Sequence, residues 1–158
     1  MAKDTKKVID LLNAGRSREL AAILQYMAQH YELEDQDYGK LGKIIKKTAI
    51  AEMKHAEAFA ERILFLGGVP TSKPDLEARK GQKIAEMLGT DIGLEEQAVK
   101  MYNESAIACA ECLDMVSKDL FEKILGDEDE HLNLFQNLKD HVDKLGDIYI
   151  TTLTGAAE

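Results

Sequence analysis

The chain has 158 residues, 45% of them hydrophobic and 31% charged, which is enough for one domain with a real core. Its formal net charge of -9 argues against nucleic acid and anionic membrane as partners and suits attraction of cations. Aromatic residues make up only 6% and Trp is absent, so the core must rely on Leu, Ile, Ala and Met, which favours helices over strands. No apolar run approaches a membrane span, and Met1-Ala2-Lys3-Asp4 opens no apolar leader. The expected location is the cytoplasm.

A first helix is expected from about Asp4 to Glu34. Val8, Leu11, Leu12, Gly15, Glu19, Ile23, Tyr26, His30 and Leu33 recur mostly at steps of three and four, the mark of a buried stripe. Asp4 suits the N-cap, although Lys7 leaves the capping box incomplete. Asp35-Gln36-Asp37 reads as a tight turn. A second helix follows from roughly Tyr38 to Leu66, with the stripe Leu41, Ile45, Thr48, Glu52, His55, Phe59, Arg62 or Ile63, and Leu66; Gly67-Gly68 and Pro70 stop it.

From Gly67 to about Gln82 the chain carries both prolines and no helical stripe. These roughly sixteen residues reach at most ~53 Å when extended, and a helix of about thirty residues is ~45 Å long. The connection can therefore cross the whole length of a helical bundle. A third helix is expected from about Lys83 to Leu113 on the stripe Ile84, Leu88, Ile92, Glu95, Val99, Tyr102, Ala106, Cys109 and Leu113, weakened locally by Gly89 and Gly93. A fourth starts near Ser117 or Asp119, with Phe121, Ile124, Glu128, His131, Phe135, Leu138, Val142 and Leu145 inward, and ends at Gly146. Ile148 to Leu153 is a candidate short fifth helix. The expected fold is all-α: a ferritin-like four-helix bundle with a long crossover between helices two and three and a short C-terminal helix, forming a single domain over residues 1-158.

Every long stripe is interrupted by acid or imidazole: Glu19; Glu52 and His55; Glu95; Glu128 and His131. Glu52-x-x-His55 and Glu128-x-x-His131 each aim a carboxylate and an imidazole from one helix face. With helix one rising, two and three descending and four rising, the six residues lie between ~17 and ~27 Å up the bundle at ~1.5 Å per residue. That agrees within a helical turn or two, so they can meet in one layer. Buried carboxylates need a counter-charge, and the only stripe cation, Arg62, lies two turns beyond His55. Two divalent metals would neutralise four carboxylates and occupy both imidazoles, the ligand set of di-iron carboxylate bundles. An oxygen-rich set with one nitrogen per metal suits iron or manganese. A lone seam Glu or His is usually a satisfied core group, and it is the joint pattern that points to metal. His30 and His141 lack the spacing and read as ordinary helix residues. Cys109-x-x-Cys112 has no βαβ context and reads as two small packed residues.

The stretches Arg18-Glu19-Leu20-Ala21-Ala22-Ile23-Leu24-Gln25-Tyr26, Glu52-Met53-Lys54-His55-Ala56-Glu57, Glu61-Arg62-Ile63-Leu64-Phe65-Leu66-Gly67-Gly68, Asp91-Ile92-Gly93-Leu94-Glu95 and Asp127-Glu128-Asp129-Glu130-His131 closely resemble bacterioferritins. The resemblance covers essentially the whole chain. It implies that Glu52 and Glu128 bridge two irons, with Glu19 and His55 completing one and Glu95 and His131 the other. It implies a ferroxidase that oxidises Fe(II) with dioxygen or hydrogen peroxide and stores ferric mineral in a closed homo-oligomeric shell of about 24 subunits, with a ferredoxin as electron donor for iron release. Tyr26, seven residues after Glu19, shares its face and is expected near the site, as a redox residue or as a core tyrosine bonded to a carboxylate. Met53 faces ~130° away from the site side at ~100° per residue. An outward Met is normally interface packing, and the resemblance implies instead that it ligates a b-type or related haem at a dimer interface.

The sequence departs from the family where some members carry iron-binding His and acidic residues on the inner surface. Lys47, Thr48 and Ala51 stand there, which gives no support to iron passage by that route. Two other readings have discriminating features. A rubrerythrin-like peroxidase would usually bring a second C-x-x-C pair, and the chain has one. A non-catalytic haem-carrying shell subunit would have no need for four seam carboxylates.

Overall fold

The structure, a computed structural model, describes residues 4–157; Met1–Lys3, where no apolar leader was expected, and Glu158 lie outside them. Asp4 accepts the Lys7 amide at 3.0 Å and caps α1, Thr5–Asp35. α2 spans Gly39–Phe65, α3 Ile84–Glu111, α4 Met115–Leu145 and α5 Asp147–Thr151. The four long helices form the ferritin-like bundle, and no strand occurs among the described residues. None of the described helices is long and apolar enough to cross a membrane.

The connection after α2 climbs the outside of α1. Asn13 donates to the Val69 carbonyl at 3.1 Å and accepts from the Thr71 amide at 2.8 Å. Ser17 donates to Lys73 O at 2.7 Å. Gln25 exchanges two hydrogen bonds with the Arg79 backbone at 2.9 and 2.7 Å, and Glu32 accepts the Gly81 amide at 3.2 Å. Partners on α1 advance together with the crossover, over ~28 Å of helix at ~1.5 Å per residue. α2 and α3 therefore both descend, and the second helical pair lies across the first.

The ends of α3 and α5 and the start of α4 differ from expectation by two residues or more, α3 closing at Glu111 rather than Leu113. α4 begins at Met115 because Asp114 accepts both the amide and the hydroxyl of Ser117, at 3.1 and 2.9 Å. Leu113 turns the chain in the left-handed region, φ 59°. A leucine there is uncommon, so nothing in the sequence announced the turn. α5 ends at Thr151, with Gly146 at φ 56° providing the bend, while Leu153 continues on to pack into the core.

The core is divided. An upper cluster gathers Tyr26, Leu33, Leu41, Ile45, Leu88, Phe135 and their neighbours. A lower one gathers Leu12, Phe59, Ile63, Tyr102, Cys109 and Phe121. In the lower cluster Phe59 lies with ring centroids 5.7 Å from Tyr102 and 5.2 Å from Phe121, and its ring rests on Gly15, where an added Cβ would come within 2.9 Å. Phe59→Ala should lower unfolding free energy by about 3–5 kcal/mol, read from urea melts of the metal-free protein. A loss below about 1 kcal/mol would contradict this packing.

Candidate metal centre

The gap between the two clusters is filled by the six polar residues of the helix seams. Glu52 is fully buried, Glu19, Glu95 and Glu128 are each 1% exposed, and His55 is 6% exposed; His131 is partly buried. One ligand atom from each of Glu19, Glu52, His55 and Glu128 falls within 4.8 Å of the others, and the same holds for Glu52, Glu95, Glu128 and His131. All six predicted residues thus meet in one layer, in two overlapping groups.

The overlap has a simple internal logic. Glu52 Oε2 lies 2.8 Å from His55 Nδ1 and its Oε1 lies 3.1 Å from His131 Nδ1. Glu128 divides its oxygens in the same way, Oε1 2.8 Å from His55 Nδ1 and Oε2 3.6 Å from His131 Nδ1. Of the two imidazoles, Glu19 approaches that of His55, at 3.6 Å, and Glu95 that of His131, at 3.9 Å. Two carboxylates span the groups and two belong to one group each.

Each Nδ1 faces three carboxylates but can carry one hydrogen. Glu128 Oε1 is close to His55 Nδ1 without hydrogen-bond alignment, and it and Glu95 Oε2 are buried with no hydrogen-bond partner. Buried carboxylate oxygens left unpaired are costly. A divalent cation in each group would meet them, so the donor set fits two oxygen-preferring metal ions.

The electrostatics carry the same message. Burial pushes the Glu19 carboxyl up to about 8, reinforced by the nearby Glu52 charge. Glu95 and Glu128 are also raised by burial, with neighbouring carboxylates adding to it. Burial works against a charged His131, yet Glu128 and Glu52 outweigh it and hold its value up to about 11. His55 is raised for the same reason by Glu128, Glu19 and Glu52. Without metal, protons do part of the work of cations.

Three further residues support the layer. Tyr26 donates to Glu95 Oε1 at 2.5 Å, and Tyr102 donates to Glu19 Oε1 at 2.6 Å. Each tyrosine stands seven residues after the glutamate on its own helix and reaches the glutamate of the other. Tyr26 was expected near the site; Tyr102 had appeared only as a core position. The repeated Glu-x6-Tyr spacing, Glu19/Tyr26 and Glu95/Tyr102, was the available signal. Asp127 Oδ2 accepts from His55 Nε2 at 2.8 Å, a contact that a half-exposed residue does not advertise in a hydrophobic pattern. Arg18, next to Glu19, is buried as well, but it turns outward to Asp75 of the crossover at 2.8 Å and to Gln97 at 2.8 Å. Arg62 bonds Asp114 at 2.9 Å and takes no part in the site. Met53 points away from the layer and is 41% exposed. Cys109 and Cys112 are both buried and pack in the lower cluster, as the packing reading expected.

Residues 9–145 match the ferritin-like domain family. The bacterioferritin of Desulfovibrio desulfuricans is 42% identical over 149 residues, covering 94% of this chain and 83% of that protein. An X-ray structure of the bacterioferritin of that species, with its diiron site in different catalytic states, superposes with a TM-score of 0.94 at 41% identity over 96% of this chain and 89% of that one. The Rhodobacter capsulatus bacterioferritin structure, with a metal-free dinuclear site and haem iron, gives a TM-score of 0.91 at 37% identity over 99% and 98% of the two chains.

A group that holds its proton more tightly folded than unfolded makes folding less favourable as pH rises between its two values. For Glu19 that window runs from 4.5 to about 8, and for His131 from 6.5 to about 11; the two act in the same direction. The metal-free protein should therefore melt at a lower temperature at pH 8 than at pH 5.5. Added divalent cation should stabilise it more at pH 8, because metal displaces those protons. Thermal melts with and without Mn(II) check this. A metal-free melting temperature that rises with pH over that range, or a metal shift independent of pH, would contradict it.

Proposed function

The chain belongs to the bacterioferritins of the ferritin-like family, and on that footing we propose that it is an iron-storage protein with ferroxidase activity, working as one di-iron domain over its whole length. The observation that carries the reading is the way Glu52 and Glu128 each divide their two oxygens between His55 and His131. That division suits a pair of ions side by side, one completed by Glu19 and His55 and the other by Glu95 and His131.

Fe(II) is the substrate. Two ferrous ions balance the charge of four carboxylates, so the buried layer becomes neutral when it is filled. Entry displaces the protons held by Glu19, Glu95 and Glu128 and those on the inward nitrogens of His55 and His131. Each ion then supplies one electron. Hydrogen peroxide taking both becomes two hydroxide ions; dioxygen taking both with two protons becomes hydrogen peroxide. Tyr26 and Tyr102 hold Glu95 and Glu19 in place through this change. Oxidation adds two positive charges beyond those the four carboxylates offset, and hydroxide, formed from peroxide or from water, would balance them in the ferric product.

Storage needs an enclosed space, which a single bundle does not provide. Tyr31, Leu64, Phe65, Val69 and Ile148 are all more than 60% exposed, and apolar surface on that scale supports burial against further copies of the chain. A closed shell of about 24 subunits is the expected assembly. Met53, with exposed Ile50 three residues before it, offers a thioether on an apolar surface. Two copies meeting there would provide two sulfur ligands for a haem, which would supply one-electron chemistry when bound. A ferredoxin is the proposed electron donor for release.

Anaerobic Fe(II) addition followed by oxygen tests the activity, with assembly size measured alongside. Glu128→Ala and His131→Ala should each slow iron oxidation by at least about 100-fold, as loss of reacting geometry does. Unchanged rates would end the ferroxidase reading, and a stable monomer would end the storage reading. Met53→Leu should lose the Soret band of protein purified with haem supplied, with iron oxidation retained; an unaltered band would exclude Met53 as ligand.

A further inference from the structure

The layer is nearly two-fold symmetric. Each terminal glutamate receives a tyrosine, each bridging glutamate meets both imidazoles, and each imidazole turns Nδ1 inward. The symmetry breaks at the outer nitrogens. His55 Nε2 is held by Asp127 at 2.8 Å, and Asp127 immediately precedes the bridging Glu128. The residue that immediately precedes the other bridging glutamate, Glu52, is Ala51. It has no polar side chain, and among the described residues no group bonds His131 Nε2. Ala51, Asp127 and both histidines line one cavity of about 490 Å³ between α2 and α4. The missing carboxylate thus has space to stand in, and Ala51 leaves that space vacant. The other ionisable residues lining the same cavity are Lys47, Lys54 and Lys123, which cannot accept a hydrogen from His131.

A carboxylate behind a ligating histidine fixes the ring's tautomer and orientation and raises its basicity. With Asp127 accepting from Nε2, that nitrogen carries the hydrogen, and the Nδ1 lone pair is directed inward once its own proton leaves. His131 lacks this restraint. We propose that the two metal positions are unequal by construction: the Glu19–His55 position is the tighter one because Asp127 holds His55 from behind, and the Glu95–His131 position is the weaker because Ala51 leaves His131 unheld. This rests on the di-metal reading of the site. It makes Asp127 a positioning residue and places the first ion to bind, and the last to leave, beside His55.

Co(II) alone is the probe, since it binds without being consumed by oxidation and reports its coordination in the visible spectrum. At one equivalent per subunit, crystals of the assembled protein should show cobalt anomalous density mainly beside His55. Titration in solution should resolve two affinities about 10–100-fold apart, the usual worth of such a carboxylate. Asp127→Ala should lower the higher affinity by about the same factor and remove the preference in the crystal. Ala51→Asp should raise the lower affinity and draw the two steps together, a gain that damage to the fold cannot produce. Density shared equally between the positions in the unaltered protein, density mainly beside His131, or a preference that survives Asp127→Ala would each overturn the inference while leaving a di-metal site intact. Absence of bound cobalt at any concentration would overturn the di-metal reading and this inference with it.

Discussion

Four carboxylates in one buried layer are the constraint on which this bundle depends. Glu19, Glu52, Glu95 and Glu128 are at most 1% exposed, and apolar clusters close the layer above and below. Burial of one unpaired charge is already expensive. Four together require cations, whether the protons that raise Glu19 to about 8 or metal ions. The two imidazoles, the two tyrosine hydroxyls and the unpaired oxygens of Glu95 and Glu128 are all arranged around that one need.

The topology serves it. Each helical pair contributes one Glu-x6-Tyr and one Glu-x-x-His, and the crossover along α1 is what lets the second pair present its set at the height of the first. Each tyrosine bonds the glutamate of the opposite pair, so the layer also fastens the two halves together where the hydrophobic core is interrupted. The division of the core into two clusters follows directly from placing charge in the middle of the bundle.

Much of this is legible in the chain itself, because helix periodicity maps sequence spacing onto faces. The three-residue spacing within Glu52/His55 and Glu128/His131 gave the inward face, and the span from Gly67 to Gln82 gave the crossover. The residues that escaped are those whose role depends on a partner from another helix. Tyr102 looks like any core aromatic until Glu19 is beside it. Asp127 looks like any exposed acid until His55 Nε2 is 2.8 Å away. Arg18, beside the α1 stripe rather than in it, is nevertheless buried, because it pairs with Asp75 far away in sequence. The start of α4 was misplaced because it turns on a left-handed Leu113, which no spacing encodes.

The central claim is that the layer holds two metal ions, shared by Glu52 and Glu128. Anomalous diffraction at the iron edge, from crystals loaded with Fe(II) under anaerobic conditions, tests it most directly. The account predicts two iron peaks in each subunit, both flanked by Glu52 and Glu128, one beside His55 and the other beside His131. A single peak, or none with the carboxylates unmoved at saturating Fe(II), would contradict it.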